Sequence, residues 1–172
     1  MRVRLLILLT VVVLVLGLAT AAFADNRVFT AHLSGDEEVP ANSSLAQGQA
    51  IFWLNKDGTA IEYKLIAANI DNIFQSHIHR APAGENGPIV AWLYPDAPPP
   101  QLIVGPFNGV LAGGSIEASD LVGPLSGQPL SALLAEMAAG NTYVNVHTTD
   151  LDSTTGPAPG DIPSGEIRGQ IQ

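Results

Sequence analysis

Short strand-like runs separated by turn residues set the strongest limit on how this chain can fold. Residues 49–54 and 59–67 alternate between apolar and polar side chains, and Asn55-Lys56-Asp57-Gly58 stands between them. A period of two places one face of a strand against a core, and an Asp-Gly turn favours a hairpin. Because similar runs recur to the C-terminus, the sequence predicts an all-β protein, built as an antiparallel β-sandwich or barrel.

One short α-helix interrupts the predicted strands. Residues 129–139 are rich in Ala and Leu, Pro129 suits the first helical turn, and Gly140 suits the position after the last turn. Gly113-Gly114 is interpreted as the turn of a hairpin between residues 107–111 and 115–118. The other predicted strands cover residues 28–33, 73–79, 88–94, 143–148 and 166–171.

The N-terminus has the pattern of an export signal. Arg2 and Arg4 precede an apolar run over residues 5–18, and Ala22-Phe23-Ala24 has the small-x-small form that signal peptidases cleave. We therefore expect a signal peptide over residues 1–24, cleavage after Ala24, and one domain over residues 25–172. This organisation predicts a secreted or periplasmic protein.

Charge and cysteine content narrow the partners of the expected mature domain. The whole chain carries a formal charge of −9, and removal of two arginines with residues 1–24 leaves 16 acidic residues against five basic ones. Such an acidic surface disfavours nucleic acid and anionic lipid. After the first 24 residues there is no further long apolar run, so no membrane span is expected after cleavage. The absence of cysteine excludes disulfides and thiolate metal ligands.

Three of the four histidines form a candidate metal site. Residues i and i+2 of a strand share a face, so His77 and His79 are expected to point together while Ile78 turns away. Asn145 and His147 share one face of a later strand, and the three imidazoles converge if the two strands are close. Three neutral imidazoles suit copper or zinc and leave a coordination position open. The alternative is that His77 and His79 form a hydrogen-bonded or surface pair with only a structural role. We also interpret His32 as structural.

Other polar groups are interpreted as structural. The acidic segment Asp36-Glu37-Glu38 lacks the spaced oxygen ligands of a calcium site and is expected to be a solvated loop. Glu166 and Arg168 flank one residue of the closing strand, so an ion pair between them is expected. The chain has no nucleophile elbow, and we assign no catalytic residue.

Five blocks stand out along the chain: LSGDEEVP at residues 33–40, AIFWLN at 50–55, HIHRAPAGENGP at 77–88, AGNTYVNVHT at 139–148 and GEIRGQI at 165–171. Together they resemble the CHRD domain, which is named after chordin and also occurs in exported bacterial proteins. The resemblance extends from about Phe29 to the C-terminus and implies an extracellular binding role.

A weaker resemblance is to copper-zinc superoxide dismutase. His77-Ile78-His79 is similar to the His-x-His copper pair of that family, and His147 is similar to a later copper ligand. No bridging histidine or zinc-ligand set occurs between His79 and His147, and Glu166 stands near the position of the arginine that guides superoxide. The resemblance implies a superoxide-dismutase-like or immunoglobulin-like β fold. It leaves three hypotheses, namely a metal-binding protein with copper favoured, an extracellular interaction module without metal, and a dismutase-like enzyme.

Overall fold

The computed structural model of the protein describes residues 28–152 and 157–172. The expected signal peptide, residues 1–24, lies outside these ranges. Among the described residues, no helix is long and apolar enough to cross a membrane. The strands are β1 Val28–Ser34, β2 Gln47–Leu54, β3 Ile61–Arg80, β4 Ile89–Tyr94, β5 Ile103–Ile116, β6 Thr142–Thr148 and β7 Ile167–Gln170, and the helix α1 is Leu130–Ala138.

Five of the strands form a closed antiparallel barrel. Each strand pairs with the next around the ring β2, β1, β7, β6 and β3, and β3 pairs back to β2. β4 and β5 pair with β3 outside this ring. The all-β barrel expected from the sequence is therefore confirmed.

β3 is the strand that holds the fold together, and here two of the strand predictions were wrong. Residues 59–67 and 73–79 were expected to be separate strands, but β3 runs through both. Its first half pairs with β2 and β5, and its second half pairs with β6 and β4. Asn69 and Asn72 adopt positive φ angles of 56° and 54°, and the register with β5 shifts around them. Asn tolerates this conformation better than most residues, so the strand bends without ending.

The predicted hairpin at Gly113-Gly114 was also wrong, because β5 is continuous through both glycines. They pair with Lys64 and Tyr63 of β3. A β-carbon on Gly114 would contact the Tyr63 ring at 3.5 Å. This distance is an ordinary van der Waals contact, so the two glycines are strand residues packed beside Tyr63 rather than a turn.

Burial on both faces distinguishes the part of the barrel that carries the histidines. Val144, Val146 and Ile78 belong to the hydrophobic core inside the barrel. Every residue of β6 is nevertheless buried, including those that face away from the core. The helix α1, expected from the sequence, begins after Pro129 and ends before Gly140 at a φ of 69°. Its buried apolar residues are Leu130, Leu133, Leu134 and Met137.

Candidate metal centre

Strand pairing brings the three predicted ligands together on the outer face of the barrel. β3 and β6 are neighbours, with His77 opposite Asn145 and His79 opposite Tyr143. His147 is opposite Gln75, two residues along from the His77 pair, and is therefore diagonal to His77 on the same face. Ile78 faces the core, as the alternation predicted. His32 is exposed on β1 and is not part of this cluster.

The imidazole nitrogens lie at distances that suit one small ion. One ring nitrogen from each of His77, His79 and His147 lies within 4.8 Å of the other two. Nδ1 of His77 is 3.3 Å from Nε2 of His147 and donates a hydrogen bond to it, because the Nδ1–H of His147 is given to the Pro163 carbonyl. Two ligand nitrogens at ~2.0–2.1 Å from a tetrahedral ion are separated by about 3.3–3.4 Å. The His77–His147 separation already has this value.

Two backbone carbonyls fix which nitrogen of His79 and His147 is free. Nδ1 of His79 donates a hydrogen bond to the carbonyl of Gly87 at 2.8 Å, and Nδ1 of His147 donates to the carbonyl of Pro163 at 2.9 Å. A carbonyl oxygen can only accept, so in the neutral ring each Nε2 carries a lone pair. Hydrogen bonds of this kind typically orient metal-binding histidines.

The cluster contains buried nitrogen atoms without a protein partner. Nε2 of His77 and Nε2 of His79 are buried and have no hydrogen-bond partner among residues 28–152 and 157–172. Buried polar groups are usually satisfied, and each exception calls for an explanation. An ion or a bound molecule that accepts electron pairs would satisfy the Nε2 lone pair of His79.

Burial keeps the three imidazoles neutral at neutral pH. Burial, with smaller effects from His147 and His79, lowers the pKa of His77 to about 3. Burial also lowers the pKa of His147 to about 4, against the effect of its hydrogen bond to Pro163. The pKa of His79 is lowered mainly by burial, although the Gly87 carbonyl and the Asn145 side chain act in the opposite direction. Neutral imidazole is the form that binds metal.

Aromatic side chains surround the three imidazoles. Trp92 of β4 contacts His77 edge-on, with ring centroids 4.3 Å apart. Tyr143 stacks on His79 at 4.9 Å, and the Arg168 guanidinium lies 3.4 Å above the same tyrosine ring. Sequence reasoning did not identify Trp92 or Tyr143 as part of the site. The register of β4 and β6 with β3 is the information that places them there.

Two expectations for charged groups were wrong. Glu38 is not solvated but 7% exposed, directly after the 3-10 turn Gly35–Glu37. Glu166 and Arg168 do not form an ion pair. Glu166 accepts hydrogen bonds from Ser44, Thr148 and the Gly160 backbone. Arg168 is held by Tyr143 and by hydrogen bonds to Asn86, Pro82 and Gln170.

Comparisons with known proteins identify the family. No curated protein and no solved structure matches this chain. The family model of the CHRD domain matches residues 29–155, which is most of the chain and includes His77, His79 and His147. The protein therefore belongs to the CHRD-domain family.

Proposed function

We propose that this CHRD-domain protein is exported and binds one copper ion through His77, His79 and His147. The observation that carries the proposal is the convergence of three buried neutral imidazoles, two of which have their Nδ1–H fixed by backbone carbonyls. Such a site is costly to maintain without a partner, since buried polar atoms that lack one lose their hydration.

The proposed ligand atoms follow from the hydrogen bonds. Nε2 of His79 and Nε2 of His147 are the nitrogens left free by Gly87 and Pro163. Nδ1 of His77 lies 3.3 Å from Nε2 of His147 and completes the set when its proton moves to Nε2 of the same ring. The metal cluster contains no carboxylate or thiolate.

Copper is favoured over zinc by the chemistry of this ligand set. Imidazole suits both ions, but for a given nitrogen site Cu²⁺ binds more strongly than Zn²⁺. Three protein ligands leave a position for solvent or another molecule. Bound copper would supply a redox-active ion at that position, whereas the protein supplies neutral, oriented ligands in a site largely closed to solvent.

Export is part of the proposal and has its own test. Residues 1–24 have the order of a charged start, an apolar run and a small-x-small site. Protein recovered from outside the cytoplasm should begin at Asp25. A mature chain that retains Arg2 and Arg4 would contradict this part of the proposal.

The metal site is tested by titration of residues 25–172 with Cu(II) and Zn(II) in a calorimeter. We expect one site, tighter for Cu(II), that is lost in His77→Ala and His147→Ala. His32→Ala is the matched control, because His32 is exposed and outside the cluster. Equal binding by all variants, or no saturable binding to the folded wild type, would contradict the proposal and favour an extracellular interaction module without metal.

A further inference from the structure

A pocket opens between two loops, and none of the three histidines is among its described lining residues. One wall is formed by residues 38–43, and the other by residues 157–159, 162, 164 and 165. Its cavity volume is about 260 Å³. Most of the wall is apolar or backbone, and the single charged side chain in it is that of Glu38.

Glu38 has the properties of a binding group rather than of a surface acid. Only 7% of the residue is exposed, and its Oε1 atom has no hydrogen-bond partner in the described part of the chain. The Arg168 guanidinium acts on this carboxyl electrostatically but forms no ion pair with it among the described residues. Burial raises the pKa of Glu38 to about 7, against the effect of Arg168. Above that pH the ionised carboxylate has a buried oxygen without a donor, which is costly and leaves an acceptor available to a ligand.

The pocket is connected to the histidines through Asn145 and Pro163. A β-carbon on Gly165 would lie 2.5 Å from Oε1 of Glu38 and 2.9 Å from Nδ2 of Asn145, so both side chains border the same point. Asn145 is the cross-strand partner of His77. Pro163, whose carbonyl holds His147, lies in the chain between two residues that line the pocket.

Three of the buried atoms that have no hydrogen-bond partner among the described residues lie along this connection and can donate an electron pair. They are Oε1 of Glu38 at the pocket, Oδ1 of Asn145 and Nε2 of His79. The His79 atom carries a lone pair because its Nδ1–H is given to Gly87. A series of buried acceptors without donors is complementary to a cation.

We infer that the metal ion enters through this pocket and that the Glu38 carboxylate is its first ligand on the way to His77, His79 and His147. The inference rests on the proposed metal site. Carboxylate and amide oxygens bind copper less strongly than imidazole does, so an ion held by Glu38 passes to the histidines with a gain in affinity. Glu38 therefore affects how fast the metal is loaded and released, while the three histidines set the affinity.

Loading is measured by stopped-flow mixing of the metal-free protein with Cu(II), followed by the fluorescence of Trp92 in a Trp53→Phe background. Trp92 contacts His77, and Trp53 is on β2 and partly exposed. In Glu38→Gln, we expect loading and EDTA-driven release to slow by about tenfold or more, the lower range of what a charged cleft contributes. The dissociation constant and the one-to-one stoichiometry should change little.

Glu37→Gln is the matched control, since it removes the same charge from the exposed neighbouring residue. Ser43→Phe is a second test that leaves Glu38 intact, because Ser43 is exposed at the pocket wall and a large ring there narrows the entrance. Ser43→Phe should also slow loading, and it tests the entry route by itself if Glu38→Gln does not fold.

The outcomes separate the two proposals. Wild type that binds no copper contradicts the proposed function. Wild type that binds copper, with Glu38→Gln and Ser43→Phe as fast as Glu37→Gln, overturns the entry route and leaves the histidine site intact. A loss of affinity in Glu38→Gln without a change in loading rate also overturns it, because Glu38 would then be a permanent ligand.

Discussion

Gly169→Ala should open the barrel where β1 and β7 close it. A β-carbon at this position would lie 2.6 Å from the carbonyl carbon of His32 and 3.1 Å from the backbone nitrogen of Leu33. The two backbones must therefore separate, although Thr30 and Gln172 join these chain segments by hydrogen bonds of 2.8 and 2.9 Å. Such overpacking costs about 1–3 kcal/mol, and each weakened hydrogen bond adds ~0.5–1.5 kcal/mol.

The predicted loss in the free energy of unfolding is about 3 kcal/mol, a large part of the ~5–15 kcal/mol typical of a domain. It is measured by urea unfolding of the metal-free protein. Gly113→Ala is the matched control, since its β-carbon would lie 3.4 Å from the Tyr63 carbonyl, an ordinary contact. Equal losses in the two variants would refute the role of close backbone approach in closing the ring.

Three further predictions concern the histidine face and its surroundings. Unfolded histidines gain protons below pH ~6.5, whereas His77 and His147 have folded pKa values of about 3 and 4. The stabilisation that comes from neutral His77 and His147 is therefore fully present above pH ~6.5 and is lost towards pH 4. In urea unfolding at a series of pH values, His147→Gln should reduce the pH dependence of the free energy of unfolding by ~1.4 kcal/mol per pH unit. Cu(II) should quench the fluorescence of Trp53→Phe, in which Trp92 remains, and should leave Trp92→Phe largely unquenched; the reverse order would place the ion elsewhere. Glu166→Gln turns an amide donor towards groups that already donate to Glu166. The free energy of unfolding, measured by thermal denaturation, should therefore fall by about 1–3 kcal/mol.

The sequence was sufficient for the fold class and for the shared face of His77 and His79. The period of two placed His77 and His79 on one face and Ile78 on the other, and strand pairing in the structure agrees. These features follow from local geometry alone. The bend of β3 was not predictable in the same way, because Asn69 and Asn72 have the turn chemistry of a strand end and yet the strand continues.

The groups around the histidines were not predictable from the sequence. The carbonyls of Gly87 and Pro163 carry no side-chain signature, and their position depends on how two loops fold back onto the barrel. Glu38 was misjudged for the same reason, since an acidic segment before a proline is usually solvated. Glu166 and Arg168 were expected to pair with each other, but each is satisfied by groups distant in sequence.

The most direct test of the copper site is electron paramagnetic resonance of the Cu(II)-loaded protein, with pulsed detection of the ligand nitrogens. We expect one copper environment with three imidazole ligands, reduced to two in His79→Ala and unchanged in His32→Ala. A spectrum of Cu(II) coordinated mainly by oxygen, or one that His79→Ala does not alter, would contradict the assignment of His77, His79 and His147 as the metal ligands.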